Sequence, residues 1–157
     1  MALAHRIVAR AFRAWFWLRR PRTIGVRALL VDPHGRIALV RHHYTRFWYL
    51  PGGGVNRNED MGSAVQREVA EEVGIDDAPI VTIAGVFHNR REYKDDHVVL
   101  FVMMVDADAA ARLHAADRRE IAEARWFAPD ALPDTVSPAT RRRIAEYQRG
   151  ATGLGTW

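Results

Sequence analysis

Leu50-Pro-Gly-Gly-Gly-Val-Asn-Arg-Asn-Glu59, seven residues, then Arg67-Glu-Val-Ala-Glu-Glu-Val-Gly-Ile75 is the stretch that organises this chain. Pro51 and the run Gly52, Gly53, Gly54 break any regular element and let the backbone approach a ligand closely. Residues 60–73 are mostly helix formers, with Gly74 where a helix C-terminus favours a left-handed residue. At about 100° per residue, Glu68, Glu71 and Glu72 fall on one helical face about 100° wide. Val65, Val69 and Val73 form the adjacent stripe that turns to the core. Three like charges so close destabilise a helix by some tenths of a kcal/mol per pair. A hard divalent cation with oxygen ligands removes that cost.

Taken alone, Glu-x-x-Glu-Glu reads as a solvated acidic face with Arg67 as counter-ion. The longer pattern is more specific. Gly53, Glu59, Arg67, Glu68, Val69, Glu71, Glu72, Gly74 and Ile75 fit G-x5-E-x7-R-E-U-x-E-E-x-G-U at every specified position, U being aliphatic. The stretch resembles the Nudix box. That resemblance implies an α/β (α+β) fold, a mixed sheet between helices, and Mg²⁺-dependent (Mn²⁺ is the alternative ion) hydrolysis of a phosphoanhydride in a nucleoside diphosphate linked to another group. It implies metal binding by Glu68, Glu71 and Glu72, one of which, or a carboxylate further downstream, is the base. It also implies a structural salt bridge between Arg67 and Glu59. The loop reads Asn56-Arg57-Asn58-Glu59 where the family's commonest form is Glu-Pro-Gly-Glu. Asn58 can still adopt a left-handed conformation, while Asn56 lacks a carboxylate that some members use near the metals.

At 157 residues the chain suits one domain with a sizeable core. Cysteine is absent, which excludes disulfides, thiolate zinc sites and a cysteine nucleophile. No apolar run approaches the roughly eighteen residues of a spanning helix, and a cytoplasmic location is expected. The net charge of +4 is uneven: residues 1–31 hold seven Arg and no acidic residue, leaving 16 basic against 19 acidic side chains in the rest. A nucleic-acid partner is therefore not favoured. The expected partner is a nucleotide-type small molecule.

Residues 1–20 read as an amphipathic helix ending before Pro21, with Leu3, Ile7, Val8, Ala11, Trp15 and Leu18 on one side and Arg6, Arg10, Arg13 and Arg20 on the other. Its default use is burial against its own domain or a second subunit, a homodimer. Weak contact with an anionic membrane surface and a transit segment are the alternatives. Residues 22–150 then form the catalytic domain and residues 151–157 a flexible tail.

Residues 23–32 and 36–42 are apolar runs around Asp32-Pro33-His34-Gly35, predicting a hairpin. His42 and His43, at its end, are candidates to reach a phosphate but read more simply as satisfied or solvated histidines. Among Tyr44, Phe47, Trp48 and Tyr49 at least one aromatic is a candidate to stack on a nucleobase, the alternative being that Trp48 and Tyr49 alternate between core and surface. Arg41, Trp48 and the backbone amides of Gly53 and Gly54 are the expected substrate contacts. Residues 80–88 and 97–105 read as strands joined by a polar loop that holds Arg90 and Arg91. In family members a Glu often precedes an aromatic-containing strand as ligand or base, and Glu120, six residues before Trp126, matches it. Glu123 reads as a surface ion-pair partner. Residues 138–149 form a last helix with Ile144 and Tyr147 inward and Arg141, Arg142 and Arg143 outward. The rival function is a non-catalytic nucleotide-binding module; the intact carboxylate set weighs against it.

Overall fold

The computed structural model describes residues 23–90 and 95–157. The expected N-terminal helix, and Arg91, lie outside the described residues. In chain order the elements are β1 (Ile24–Val31), β2 (Ile37–His42), β3 (Trp48–Tyr49), α1 (Met61–Val73), β4 (Ile80–Asn89), β5 (Asp96–Met104), α2 (Ala107–Ala111), β6 (Ile121–Phe127), α3 (Pro138–Gln148) and β7 (Gly153–Thr156). Among the described residues the strands form one mixed sheet in the order β3-β2-β1-β5-β4-β7, with β6 antiparallel to β2. β1 and β5 run parallel, as do β4 and β7; the other pairs are antiparallel.

β1 reads Ile-Gly-Val-Arg-Ala-Leu-Leu-Val, a nearly continuous apolar run, because both faces of the central sheet are covered. Val26, Ala28 and Leu30 face one core, which Val65, Val69 and Val73 of α1 complete. Leu29 and Val31 face the other, with Trp48, Leu50 and Ile144 of α3. Burying the three valines of α1 stabilises the fold by about 1.5–3 kcal/mol each. Among the described residues no helix is long and apolar enough to cross a membrane.

α1 has the expected bounds for a local reason. The Asp60 side chain accepts a hydrogen bond from Ser63 N–H, and Gly74 closes the helix at φ 73°. Replacing Asp60 with Ala is expected to lower Tm by a few degrees while leaving the carboxylate face in place, readable by thermal denaturation.

The predicted hairpin forms at its turn, where Asp32 accepts from His34 N–H and Arg36 N–H and pairs with the Arg36 guanidinium. Beyond the Val31–Ile37 pair, however, the glycine loop lines up along the edge of β1. Val26 N–H donates to Gly53 O (2.9 Å), Ala28 N–H to Pro51 O (2.8 Å) and Val55 N–H to Ile24 O (2.9 Å). The loop is thereby held as a pseudo-strand.

Two expectations are corrected. Residues 153–156 are not a flexible tail: they add a parallel strand to β4, with Gly153 opposite Gly85 and Thr156 opposite His88. All four are exposed, so no alternation of apolar residues announced them. In α3, Arg141 and Arg142 do face solvent, but Arg143 is buried, its guanidinium 3.8 Å from the Phe87 ring centre and bonded to Glu146.

Candidate active site

α1 presents Glu68, Glu71 and Glu72 to a cleft of about 310 Å³ whose other walls are Gly52, Gly53, Gly54, Arg27, His42, Tyr44, Asp117 and Glu120. β1 supplies Arg27, the end of β2 supplies His42, and Glu120 comes from the turn leading into β6. The three strands and the helix converge here because the glycine loop is stitched between β1 and α1.

Glu72 is the most constrained carboxylate. It is buried, and Gly52 N–H donates to its Oε2 at 2.8 Å. Burial pushes its pKa up to about 7, against the lowering influence of Arg27 and the Gly52 amide. Glu68 lies against Gly53 so closely that a Cβ there would stand 2.5 Å from its Oε1. Glu71 is more than half exposed.

Arg67 fastens the loop to the helix. Its Nε and Nη2 donate to the two oxygens of Glu59 at 2.7 and 3.0 Å, and Nη2 also reaches Gly54 O at 3.0 Å. Nη1 contacts Glu68 at 2.7 Å and Glu71 at 3.1 Å. The Arg67 hydrogen bonds hold the Glu59 carboxyl below its usual range, and the Asn56 N–H adds to this. Asn58 takes φ 64° in the same loop.

His42 is buried between two carboxylates, with Nδ1 3.4 Å from Glu120 and Nε2 3.9 Å from Glu72. Burial lowers its pKa, and Arg27 adds to this, against the opposing pull of Glu120. Tyr44 stacks on it at 5.0 Å between ring centres.

A second cleft of about 380 Å³ lies beside the carboxylate cleft; Arg27, His42 and Tyr44 line both. The second is bounded by Phe47, Tyr49 and Trp157, by Asn89 at the end of β4, and by Ser137, Pro138 and Ala139 at the start of α3.

Glu68, Glu71, Glu72, Glu120, Gly53 and Gly54 therefore share one cleft, whereas Arg41 and Trp48 line neither. Trp48 is buried in the core on the other sheet face, edge-on to Phe127 at 4.9 Å. Arg41, its cross-strand neighbour, is bound to Glu123 and lies 5.9 Å from the indole. The alternation of β3 puts Tyr49 in the cleft and Trp48 in the core. Sequence reasoning misses Arg27, although it is the one charge in the apolar run of β1, and it singles out Tyr44 and Tyr49 only as members of a group.

Among the described residues, no three imidazole or carboxylate side chains converge on a common point in this arrangement. Arg67 draws Glu68 and Glu71 to itself, and Glu72 is bonded to Gly52. The donor chemistry nevertheless suits a hard divalent ion: five carboxylates, Glu68, Glu71, Glu72, Asp117 and Glu120, share a polar cleft, and Glu72 among them is buried with its pKa raised.

A mixed sheet between two helices, with a carboxylate helix tied by Arg67 and Glu59 to a glycine loop, defines a Nudix hydrolase. The NUDIX domain model matches residues 21–147, and the chain belongs to that family. It is 30% identical over 129 residues to a Bacillus subtilis (strain 168) protein named provisionally as an 8-oxo-dGTP diphosphatase, covering 82% of each chain. It is 29% identical over 136 residues to the RNA pyrophosphohydrolase of Novosphingobium aromaticivorans, covering 74% of this chain and 84% of that one. Among solved structures, the MutT protein of Methanosarcina mazei Go1 superposes with a TM-score of 0.69 at 28% identity, over 83% of this chain and 95% of that one. The chain is a Nudix pyrophosphohydrolase.

Proposed function

We propose that this enzyme hydrolyses the phosphoanhydride of a nucleoside triphosphate, with Mg²⁺ or Mn²⁺ held by Glu68, Glu71 and Glu72. The observation that carries the reading is the junction of the two clefts. A ligand whose phosphates occupy the carboxylate cleft has its sugar and base in the aromatic one, past Arg27, His42 and Tyr44. The similarity to a chain named for 8-oxo-dGTP supports a mononucleotide.

When bound, the divalent ion supplies neutralising charge on the phosphate oxygens and acidity for the attacking water. The protein's own groups do the rest. The Gly53 and Gly54 amides and the Arg27 guanidinium, itself held by Leu50 O at 3.0 Å, orient the anionic chain. Glu120, half exposed at the cleft mouth, takes the proton of the water as its oxygen bonds to phosphorus and the bridging P–O bond breaks. His42 lies beside it, Nδ1 3.4 Å from Glu120.

The test is a panel of nucleoside triphosphates including 8-oxo-dGTP, with ADP-ribose, a dinucleoside polyphosphate, a nucleotide sugar and triphosphorylated RNA, each with Mg²⁺ and with Mn²⁺. The expected result is turnover of a nucleoside triphosphate. Cleavage confined to RNA, or binding of nucleotides with no cleavage at all, would overturn the reading.

A further inference from the structure

The last strand of the sheet has no core of its own. β7 exposes every residue, Leu154 at 87%, and is joined to β4 through backbone pairing from Gly85 to His88. Trp157, the residue that follows it, is anchored. Trp157 N–H donates to His88 O at 2.9 Å, and the indole lies 5.9 Å from the Phe87 ring and 5.9 Å from the Arg143 guanidinium. Arg143 reaches Thr156 O at 3.4 Å. This also accounts for a buried arginine on a helix whose other arginines face solvent. Gly85 is required for the same docking, because a Cβ there would collide with Gly153 O.

The result of that arrangement is a tryptophan on the wall of the aromatic cleft, which Tyr44, Phe47 and Tyr49 also line. An edge strand of four exposed residues, two of them glycines, contributes little burial, so its placement is explained better by what it carries than by the core it covers. We infer that Trp157 is a specificity-determining residue: delivered by β7, it is a stacking surface for the nucleobase of the substrate. The inference rests on the nucleotide reading above.

The experiment measures KM, kcat and the Kd for dGTP, with Tm, for the native chain, Trp157→Ala, Trp157→Leu, Trp157→Phe and Leu154→Ser. Loss of one base stack is worth about fivefold to a hundredfold in affinity. Trp157→Ala and Trp157→Leu are expected to raise KM and Kd at least about fivefold with kcat within about twofold. Trp157→Phe restores most of the affinity, and Leu154→Ser behaves as native. Leucine restores an apolar filler but not a π face, so affinity regained in Trp157→Leu as fully as in Trp157→Phe would overturn the inference. Unchanged KM and Kd in Trp157→Ala would do the same while leaving the hydrolase reading intact. Nucleotide binding without turnover, weakened in Trp157→Leu, would sink the hydrolase reading and sustain this one. A native chain that neither binds nor cleaves any nucleoside triphosphate of the panel removes both.

Discussion

Glu72→Gln is expected to reduce kcat by at least about two orders of magnitude, the usual cost of removing an essential acid–base or metal-ligating group. The substitution keeps the shape of the side chain and an oxygen to accept the Gly52 N–H, so the loss cannot be ascribed to the loop. It should also leave a signature in stability. The folded-state pKa of Glu72 is raised to about 7 from an ordinary 4.5, so folding favours the protonated acid. Below the ordinary value the group costs nothing. As pH rises from about 4.5 to 7, the metal-free native protein loses stability, and above that range the loss is constant. A shift of this size corresponds to on the order of 3 kcal/mol. The variant carries no such charge. With a chelator present, Glu72→Gln should therefore melt higher than the native chain at about pH 8 and alike at about pH 4.5, and divalent ion should raise the native Tm but not the variant's. Identical pH dependence of Tm in the two proteins would contradict the burial argument.

The second large effect is expected at Gly52. Its φ is 137°, a region side chains rarely adopt, and a Cβ would collide with Val26 O and stand 2.9 Å from the Arg27 Cα. The loop cannot move away without breaking the Pro51 and Gly53 bonds to β1 and the Gly52 bond to Glu72. Backbone strain and overpacking together cost about 3–5 kcal/mol, roughly 10 °C in Tm for a chain of this size. Gly54 is the control, with an ordinary φ and no atom within 4 Å of an added Cβ. Gly54→Ala is expected to melt within a degree or two of native. Gly52→Ala melting with it would mean that the loop is not stitched to β1 as described.

The sequence carried the carboxylate helix almost whole, because its limits depend on residues that act locally: Asp60 caps, Gly74 terminates, and the valine stripe has the helical period. The carboxylate face follows from that period alone. Features set by partners distant in sequence were not legible. Nothing local says that residues 51–55 lie along β1, or that the Gly-rich residues 153–156 pair with β4, since both associations use backbone groups that every residue has. Parity decided the aromatics: whether Trp48 or Tyr49 faces the cleft depends on the register of a two-residue strand against β2. An arginine triplet likewise looks uniformly polar until Phe87 and Trp157 are known to flank one of the three.

The most direct test of the central claim starts from chelator-stripped protein and the nucleoside triphosphates of the panel, adding Mg²⁺ while nucleotide products are separated and counted. The account predicts no turnover before the ion is added, steady release of a shorter nucleotide after it, and a loss of at least about a hundredfold in Glu72→Gln. Equal product formation by the native chain and Glu72→Gln, or turnover that ignores the ion, would contradict it.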